Sequence, residues 1–164
     1  GYGEDICDTK VAPEETSFQA FVSGEVIPLK EVNDGVFSKG VLGDGLAIRP
    51  DDDTLYAPIG GTISMTMEES GHACAISCSN GLQVMLHIGL DTVKMNGAGF
   101  EYLIQKDQTV SAGTPLIRFD RAKIKAAGYQ DVIICVITEN TNDLPLEFHT
   151  GMTAKAKETT IITF

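Results

Sequence analysis

Tryptophan is absent from this sequence of 164 residues, histidine occurs only three times, and no apolar run is long enough to cross a bilayer. The first five residues, GYGED, lack both the basic start and the apolar stretch of a secretory signal. We therefore expect a cytoplasmic location, with any membrane contact made through a partner.

Basic residues are also scarce. The 12 lysines and arginines stand against 23 acidic residues and leave a formal net charge of −11. A nucleic-acid backbone is held by clustered basic side chains, so this balance argues against nucleic acid as a partner. An acidic surface suits a basic protein partner instead. For any single exposed acid, a contribution to solubility is the simpler alternative.

Cysteine occurs four times and forms no Cys-x-x-Cys pair. Cys74, Cys78 and Cys135 lie in apolar runs typical of strands, whereas Cys7 lies in the polar start of the chain. Without a secretion signal, we predict reduced thiols in the core rather than disulfides.

The length fits a single domain with one continuous core. Residues 1–17 are polar and acidic, and we predict a flexible tail or linker remnant there, which leaves 18–164 as the domain. From Phe18 onward, short apolar segments are broken by turn residues every eight to twelve positions. This pattern predicts an all-β fold, an antiparallel β-sandwich or barrel-like single domain.

One or two short helices are expected in this fold. The better candidate is Arg121–Gly128, with Asp120 as its cap and Gly128 at its end, and a weaker one lies near Gly99–Ile104. The predicted strands are Gly24–Pro28, Leu46–Arg49, Leu55–Ala57, Gly61–Met67, Ala73–Ser77, Leu82–Ile88, Gln108–Val110, Pro115–Asp120, Val132–Thr138 and Thr159–Phe164.

Two of the histidines flank a strong hairpin signal. Asn80-Gly81 separates two strand-like runs, and a type I′ turn needs positive φ at both of its central residues. With these two residues as the loop, His87 opposes Cys74, and the side chains of His72 and His87 share one face at diagonal positions. A three-residue loop would place the histidines on opposite faces. For either histidine alone, a core or surface role without chemistry is the alternative.

Two adjacent imidazoles can divide the work of phosphoryl transfer. One ring acts as the nucleophile, because a neutral imidazole can attack at physiological pH, and the other donates a hydrogen bond to the arriving charge. Gly89 follows His87 by two positions and has no Cβ. The backbone can therefore approach the His87 ring and offer a carbonyl that fixes its tautomer.

Five segments stand in a fixed order along the chain: GDGLAIRP (43–50), APIGGTISMTMEESGHACAI (57–76), VMLHIGLDTVKMNGAGF (84–100), DQTVSAGTPLIRFD (107–120) and FHTGMTAKAKETTIITF (148–164). Together they resemble the glucose-type IIA component of the bacterial phosphoenolpyruvate-dependent sugar phosphotransferase system. The resemblance runs unbroken from about Phe18 to Phe164. Its most specific part is HIGLDTV, with a second histidine fifteen residues upstream of the first.

This resemblance implies a phosphotransferase component with an antiparallel β-sandwich fold and no cofactor. His87 would accept a phosphoryl group from the histidine-containing phosphocarrier protein and pass it to a cysteine on the IIB domain of a sugar permease. His72 would hold the phosphate oxygens, and Ser70 stands where the family usually has a threonine that orients this ring. The linker-like start favours fusion to a permease, at the cytoplasmic face of the membrane, over a stand-alone protein.

The resemblance also implies a docking surface. Asp34 and Asp91 match acidic positions that meet arginines of both partners, Phe37 matches an aromatic of the apolar rim, and Met85 stands at a rim position often filled by phenylalanine. Glu68 departs from the family, which often has an apolar residue there. Without the resemblance, core packing is the alternative for Phe37 and Met85, and a turn role is the alternative for Asp91.

Two other functions are consistent with parts of the sequence. A zinc hydrolase of related β architecture would use His72, His87 and His149 as ligands, although the chain has no H-x-H or H-E-x-x-H pair. By family similarity, a zinc ion shared by His72 and His87 with a partner protein is a further possibility. A biotinyl- or lipoyl-like carrier module would instead bear its cofactor on Lys94 at a hairpin tip.

Overall fold

The computed structural model describes residues 16–164. Residues 1–15 of the predicted tail, and Cys7 with them, lie outside the described residues. Ser17, also placed in the tail, instead begins a strand and pairs with Thr163. The described strands are β1 (Ser17–Gln19), β2 (Gly24–Pro28), β3 (Asp44–Pro50), β4 (Thr54–Tyr56), β5 (Gly61–Thr66), β6 (Ala73–Ser77), β7 (Leu82–Ile88), β8 (Phe100–Tyr102), β9 (Thr109–Val110), β10 (Pro115–Phe119), β11 (Ile133–Asn140), β12 (Glu147–Phe148), β13 (Thr153–Ala154) and β14 (Thr160–Thr163).

Eight strands form one antiparallel sheet in the order β9-β5-β6-β7-β11-β3-β2-β13. Two three-stranded sheets, β4-β10-β8 and β12-β14-β1, contribute residues to the same apolar core as the large sheet. This arrangement confirms the predicted antiparallel β-sandwich. None of the helices in residues 16–164 has the length and apolarity needed to span a membrane.

Strand β11 is buried on both faces of the large sheet. Ile133, Cys135 and Ile137 face the main core. Ile134 and Val136 alternate with them and belong to a second apolar cluster on the opposite, outer face of the large sheet. This outer cluster consists of Ile27, Leu29, Val32, Phe37, Ala47, Leu90, Val132, Ile134 and Val136.

The predicted register of the β6–β7 hairpin is wrong by one residue. His87 opposes Ala73, not Cys74. Because successive side chains of a strand point to opposite faces, this shift separates residues that the sequence had placed together. Cys74 lies in the main core, whereas His87 lies on the outer face, next to the outer cluster.

Turn geometry explains the error. The backbone N–H of Cys78 donates to the carbonyl of Leu82 at 2.9 Å, so three residues rather than two form the loop. Gly81 has φ of +92°, but Asn80 is not among the residues with positive φ. A type I′ turn needs positive φ at both positions, so the Asn-Gly pair here serves a longer loop with glycine in the left-handed region.

One helix prediction is confirmed and the other is wrong. The helix Arg121–Ala126 begins after Asp120, whose side chain accepts a backbone N–H of the first turn, and Gly128 follows with φ of +88°. The weaker candidate near Gly99–Ile104 contains strand β8, which pairs with β10. Pairing with a neighbouring strand overrides weak local propensity in such a short segment.

The three cysteines of the described part are buried in the main core, as predicted for reduced thiols. Burial raises the pKa of Cys74 to about 12. Burial also raises the pKa of Cys135 well above the ordinary range of a thiol. The thiols of Cys74 and Cys135 therefore stay protonated at physiological pH. All three cysteines act as small apolar core residues.

Candidate functional site

His87 lies near the end of β7, between Ala73 of β6 and Ile134 of β11. Its Nδ1 atom is 2.9 Å from the carbonyl oxygen of Gly89. A carbonyl oxygen can only accept, so Nδ1 donates the proton, and the lone pair of the neutral ring lies on Nε2. The contact with Gly89 is the one that the sequence predicted.

Glycine is required at position 89 for two reasons. Its φ is +78°, and a Cβ placed there would lie 2.4 Å from Cγ2 of Thr92 and 2.7 Å from the carbonyl oxygen of Gln130. The backbone N–H of Gly89 also donates to Val132 at 2.7 Å. The Gly89 backbone can therefore pack closely against its neighbours after β7, and this conformation brings the Gly89 carbonyl to the His87 ring.

We expect Gly89→Ala to destabilise the protein more than Gly128→Ala. A Cβ at Gly128, which has φ of +88°, meets nothing within 4 Å, so that control isolates the left-handed backbone cost of roughly 1–2 kcal/mol. At Gly89 overpacking adds roughly 1–3 kcal/mol, which predicts a total loss of roughly 2–5 kcal/mol. Urea unfolding of both variants measures the difference. Equal losses would show that the contacts around Gly89 relax without cost.

His72 lies in the turn between β5 and β6, one residue before β6 begins. Its ring centroid is 4.6 Å from that of His87, with the ring planes at 86°. Its Nδ1 is 2.8 Å from Oγ of Ser70, and its carbonyl accepts the N–H of Ile88 at 2.8 Å. The side chain is only 2% exposed. The turn and the neighbouring strand therefore hold His72 against His87.

The two rings meet although the register that predicted their meeting is wrong. Strand alternation does not govern the direction of His72, because this residue lies outside β6 and follows Gly71, whose φ is +66°. The turn directs the ring toward His87, whereas Cys74, predicted on the same face, points into the core. The sequence thus predicted that the two rings lie close together, but it did so from a mistaken strand register.

Both rings are neutral at physiological pH. Burial, followed by the neighbouring His72, lowers the pKa of His87 from 6.5 to about 4, although the Gly89 carbonyl and Asp34 oppose the change. Burial also lowers the pKa of His72. Each neutral ring has one N–H donor and one lone pair, so the pair can combine a nucleophile with a hydrogen-bond donor.

The loop between β2 and β3 covers the outer face beside His87. Oδ1 of Asp34 accepts the backbone N–H groups of Val36, Phe37 and Ser38 at 3.1, 2.8 and 3.3 Å. These bonds hold the loop so that the Phe37 ring centroid lies 5.0 Å from that of His87. Phe37 is 8% exposed and belongs to the outer cluster, so it packs beneath the surface while it contacts the histidine.

A pocket of about 350 Å³ opens beside His87. Asp34 and Asp91 both line it, so the two acids singled out from the sequence share one site. Val36 and Val93 line it as well, with exposed fractions of 48% and 52%. These valines could not be recognised from the sequence, because isolated apolar residues outside strands carry no periodic signal.

Met85 lies on β7 near His87, and Glu68 lies near Ser70 in the turn that carries His72. Met85 precedes His87 on the same face of β7, is half-buried and packs against the outer cluster. Glu68 is exposed near the turn of His72, where its carboxylate accepts the Thr66 hydroxyl at 2.6 Å. An acid therefore stands at the edge of the site where the resemblance led us to expect an apolar side chain.

The structure does not assemble the three-histidine zinc site. Nε2 of His149 is 3.1 Å from Oγ1 of Thr163, between two strands of a small sheet. Among residues 16–164, no group of three or more His, Cys, Asp or Glu side chains is placed to hold a metal ion.

Lys94 lies in the 3-10 turn Thr92–Met95 rather than at a hairpin tip, and its Nζ is 3.9 Å from Asp91. The geometry expected of a carrier lysine is therefore lacking.

Fold and site together define a class: an antiparallel β-sandwich domain with a facing pair of neutral histidines on its outer face. The family model for the phosphoenolpyruvate-dependent sugar phosphotransferase system, EIIA 1, matches residues 16–143. The chain belongs to this family and is therefore a component of a sugar phosphotransferase system.

Known relatives agree with this assignment. The chain is 46% identical over 121 residues to the PTS system beta-glucoside-specific EIIBCA component of Bacillus subtilis, a match that covers 74% of this chain and 20% of that protein. It is 40% identical over 120 residues to the raffinose carrier protein of Pediococcus pentosaceus, covering 73% of this chain and 19% of that protein. The chain thus spans about a fifth of the length of these curated relatives.

A solved structure extends the comparison to the fold. Glucose permease IIA from Mycoplasma capricolum superposes with a TM-score of 0.79 at 33% sequence identity. The match covers 89% of this chain and 93% of that chain. Unlike the two longer relatives, the Mycoplasma capricolum protein is matched over nearly all of its length.

Proposed function

We propose that this chain is a phosphocarrier of sugar uptake. His87 accepts a phosphoryl group from the histidine-containing phosphocarrier protein and passes it to a cysteine on a permease IIB domain. The observation that carries the proposal is the 2.9 Å contact of His87 Nδ1 with the Gly89 carbonyl, beside the second neutral ring of His72. This contact leaves Nε2 as the nucleophilic atom of a correctly oriented imidazole.

In the first transfer, the Nε2 lone pair of His87 attacks the phosphorus of the donor phosphohistidine. A P–N bond forms to His87 while the P–N bond to the donor ring breaks, and the donor ring keeps that electron pair. The proton stays on Nδ1, which donates a hydrogen bond to the Gly89 carbonyl, and this bond stabilises the positive charge that the ring acquires. A positively charged ring is also a good leaving group for the next transfer.

His72 stabilises the phosphoryl group without becoming phosphorylated. Ser70 donates its hydroxyl proton to Nδ1 of His72, consistent with their 2.8 Å separation. With Nδ1 as the acceptor, the proton of neutral His72 lies on Nε2, the reverse of the arrangement in His87. The Nε2–H group can therefore donate a hydrogen bond to a phosphoryl oxygen on His87. His87 thus supplies the attacking lone pair, and His72 supplies the hydrogen-bond donor that faces it.

In the second transfer, a cysteine thiolate of the IIB domain attacks the same phosphorus. An S–P bond forms, the P–N bond to His87 breaks, and the ring recovers its lone pair, so the carrier returns to its starting state. The exposed valines Val36 and Val93 supply a small apolar contact surface, and Asp34 and Asp91 attract basic partners at its border. Such a contact suits partners that must bind and leave in turn.

The relatives support a permease as the partner, because one is named as an EIIBCA component and the other as a carrier protein. We infer that residues 18–164 form the working IIA unit. It acts at the cytoplasmic side of the membrane, where it meets the IIB domain of the permease.

Mapping the phosphate on the unmodified protein tests this proposal. We expect incubation with phosphoenolpyruvate, enzyme I and the histidine-containing phosphocarrier protein to place one phosphoryl group on His87. The bond should be labile in acid and stable in base, as a phosphohistidine is and a phosphoserine is not. Omitting the phosphocarrier protein is the control and should abolish labelling. A label on His72 or Ser70, or an acid-stable bond, would refute the assignment.

A further inference from the structure

The side chain of Tyr102 holds both ends of the turn that carries Ser70 and His72. Its hydroxyl oxygen accepts the backbone N–H of Met67 at 2.7 Å, and the same hydroxyl donates to the carbonyl oxygen of Ala73 at 2.5 Å. Met67 follows β5, and Ala73 begins β6. One phenol therefore bridges the two strands at the start and the end of the turn.

This bridge takes the place of a hydrogen bond in the β-ladder. The last paired residues of β5 and β6 are Thr66 and Cys74, so the next opposed pair would be Met67 and Ala73. With a hydroxyl between them, the strands separate before the turn, while both backbone groups keep a partner. Ala73 is also the residue that opposes His87 across β6 and β7, so the bridge is anchored beside the histidine pair.

Strand β8 supports the same turn in a second way. The Phe100 ring centroid lies 6.5 Å from that of His72, and a Cβ at Gly71 would lie 2.9 Å from Cβ of Phe100. Tyr102 itself is paired with Ile117 of β10, which is fully buried. Burial raises the pKa of Tyr102 to about 12, so the hydroxyl keeps the proton that it donates. The turn thus rests on a strand anchored in the main core.

We propose that Tyr102 is a positioning residue for His72 in the second phosphoryl transfer, a role that rests on the function proposed above. The His72 ring has to remain within hydrogen-bonding reach of the phosphoryl group on His87. A turn released at Met67 and Ala73 lets the ring adopt orientations that cannot donate, and small displacements of a donor are costly in catalysis.

The variant Tyr102→Phe tests this role, because it keeps the aromatic ring and removes only the hydroxyl. In NMR spectra of the unphosphorylated protein, we expect weaker contacts between the His72 and His87 rings and roughly tenfold faster hydrogen exchange at the Met67 amide. With the B domain of the Bacillus subtilis beta-glucoside EIIBCA component as acceptor, kcat should fall roughly five- to tenfold. KM for this acceptor and the rate of phosphate acceptance by His87 should change by less than about twofold.

Tyr56→Phe is the matched control, because Tyr56 lies on β4 at the other edge of the same three-stranded sheet. It should retain wild-type values in every measurement. Unchanged ring contacts and kcat in Tyr102→Phe would overturn the proposal, as would equal losses in both transfers together with a loss of global stability. If the wild-type protein accepts no phosphate, the proposed function fails, but the ring contacts still decide whether Tyr102 positions His72.

Discussion

Replacement of His87 by glutamine is expected to abolish phosphate acceptance. The amide of glutamine is of similar size and polarity, but its nitrogen offers no lone pair that can attack phosphorus. We expect the labelling rate to fall by at least about a thousandfold, as is usual when a nucleophile is removed. Labelling with radioactive phosphoenolpyruvate, enzyme I and the phosphocarrier protein measures this rate in a single turnover.

His149→Gln provides the matched control for this experiment. His149 contacts Thr163 on a small sheet, so the same substitution there should leave labelling at the wild-type rate. Circular dichroism and urea unfolding establish that both variants are folded. Labelling of the folded His87→Gln variant at more than a few per cent of the wild-type rate would show that another residue accepts the phosphate.

Replacement of His72 by glutamine is expected to separate the two transfers. Acceptance on His87 should remain within about tenfold of the wild-type rate, whereas delivery to the IIB cysteine should fall about 10²- to 10³-fold, the usual effect of losing one preorganised donor. Rapid-quench kinetics that start from the isolated phosphorylated variant measure delivery separately from acceptance.

The charges of the reacting groups explain why the rate of delivery should fall more than the rate of acceptance. In the first step a neutral imidazole attacks the phosphoryl group, whereas in the second step an anionic thiolate must approach negatively charged phosphoryl oxygens. The phosphoryl group on His87 favours protonation of the adjacent His72, because an opposite charge raises the pKa of a histidine. A protonated ring then offsets the repulsion, and glutamine cannot.

If acceptance and delivery fall by the same factor in His72→Gln, the ring contributes to both steps alike and the charge argument fails. If neither rate changes, His72 has no part in the transfer despite its 4.6 Å contact with His87. The His149→Gln variant again shows whether the substitution itself perturbs the assay.

The periodic parts of the fold were predictable from the sequence. Three strands, Gly24–Pro28, Ala73–Ser77 and Leu82–Ile88, have the predicted bounds. The sequence did not predict four short strands: Ser17–Gln19, Phe100–Tyr102, Glu147–Phe148 and Thr153–Ala154. Two or three residues are too few to show alternation, and such strands form because a neighbouring strand is there to pair with them.

The candidate site was only partly predictable. His87, Asp34 and Asp91 were identified through motif and resemblance, and the structure places all three around one pocket. Val36 and Val93 carried no signal, because exposure is a property of the folded surface rather than of residue type. Tyr102 was not identified either, since it lies 30 positions after His72 in the sequence. Its contact with the turn forms only because strand β8 of a small sheet packs beside strands β5 and β6 of the large sheet.

From the amino-acid sequence alone we could predict an acidic, antiparallel β protein in which His72 and His87 lie close together. Alternating apolar residues, turn residues and net charge act locally or additively, so they can be read without coordinates. The direction of each strand's side chains became known only from the fold, because a three-residue loop rather than a two-residue loop shifted the β6–β7 register by one residue. It also decided that a turn outside the strand, held across the sandwich by the hydroxyl of Tyr102, brings His72 against His87.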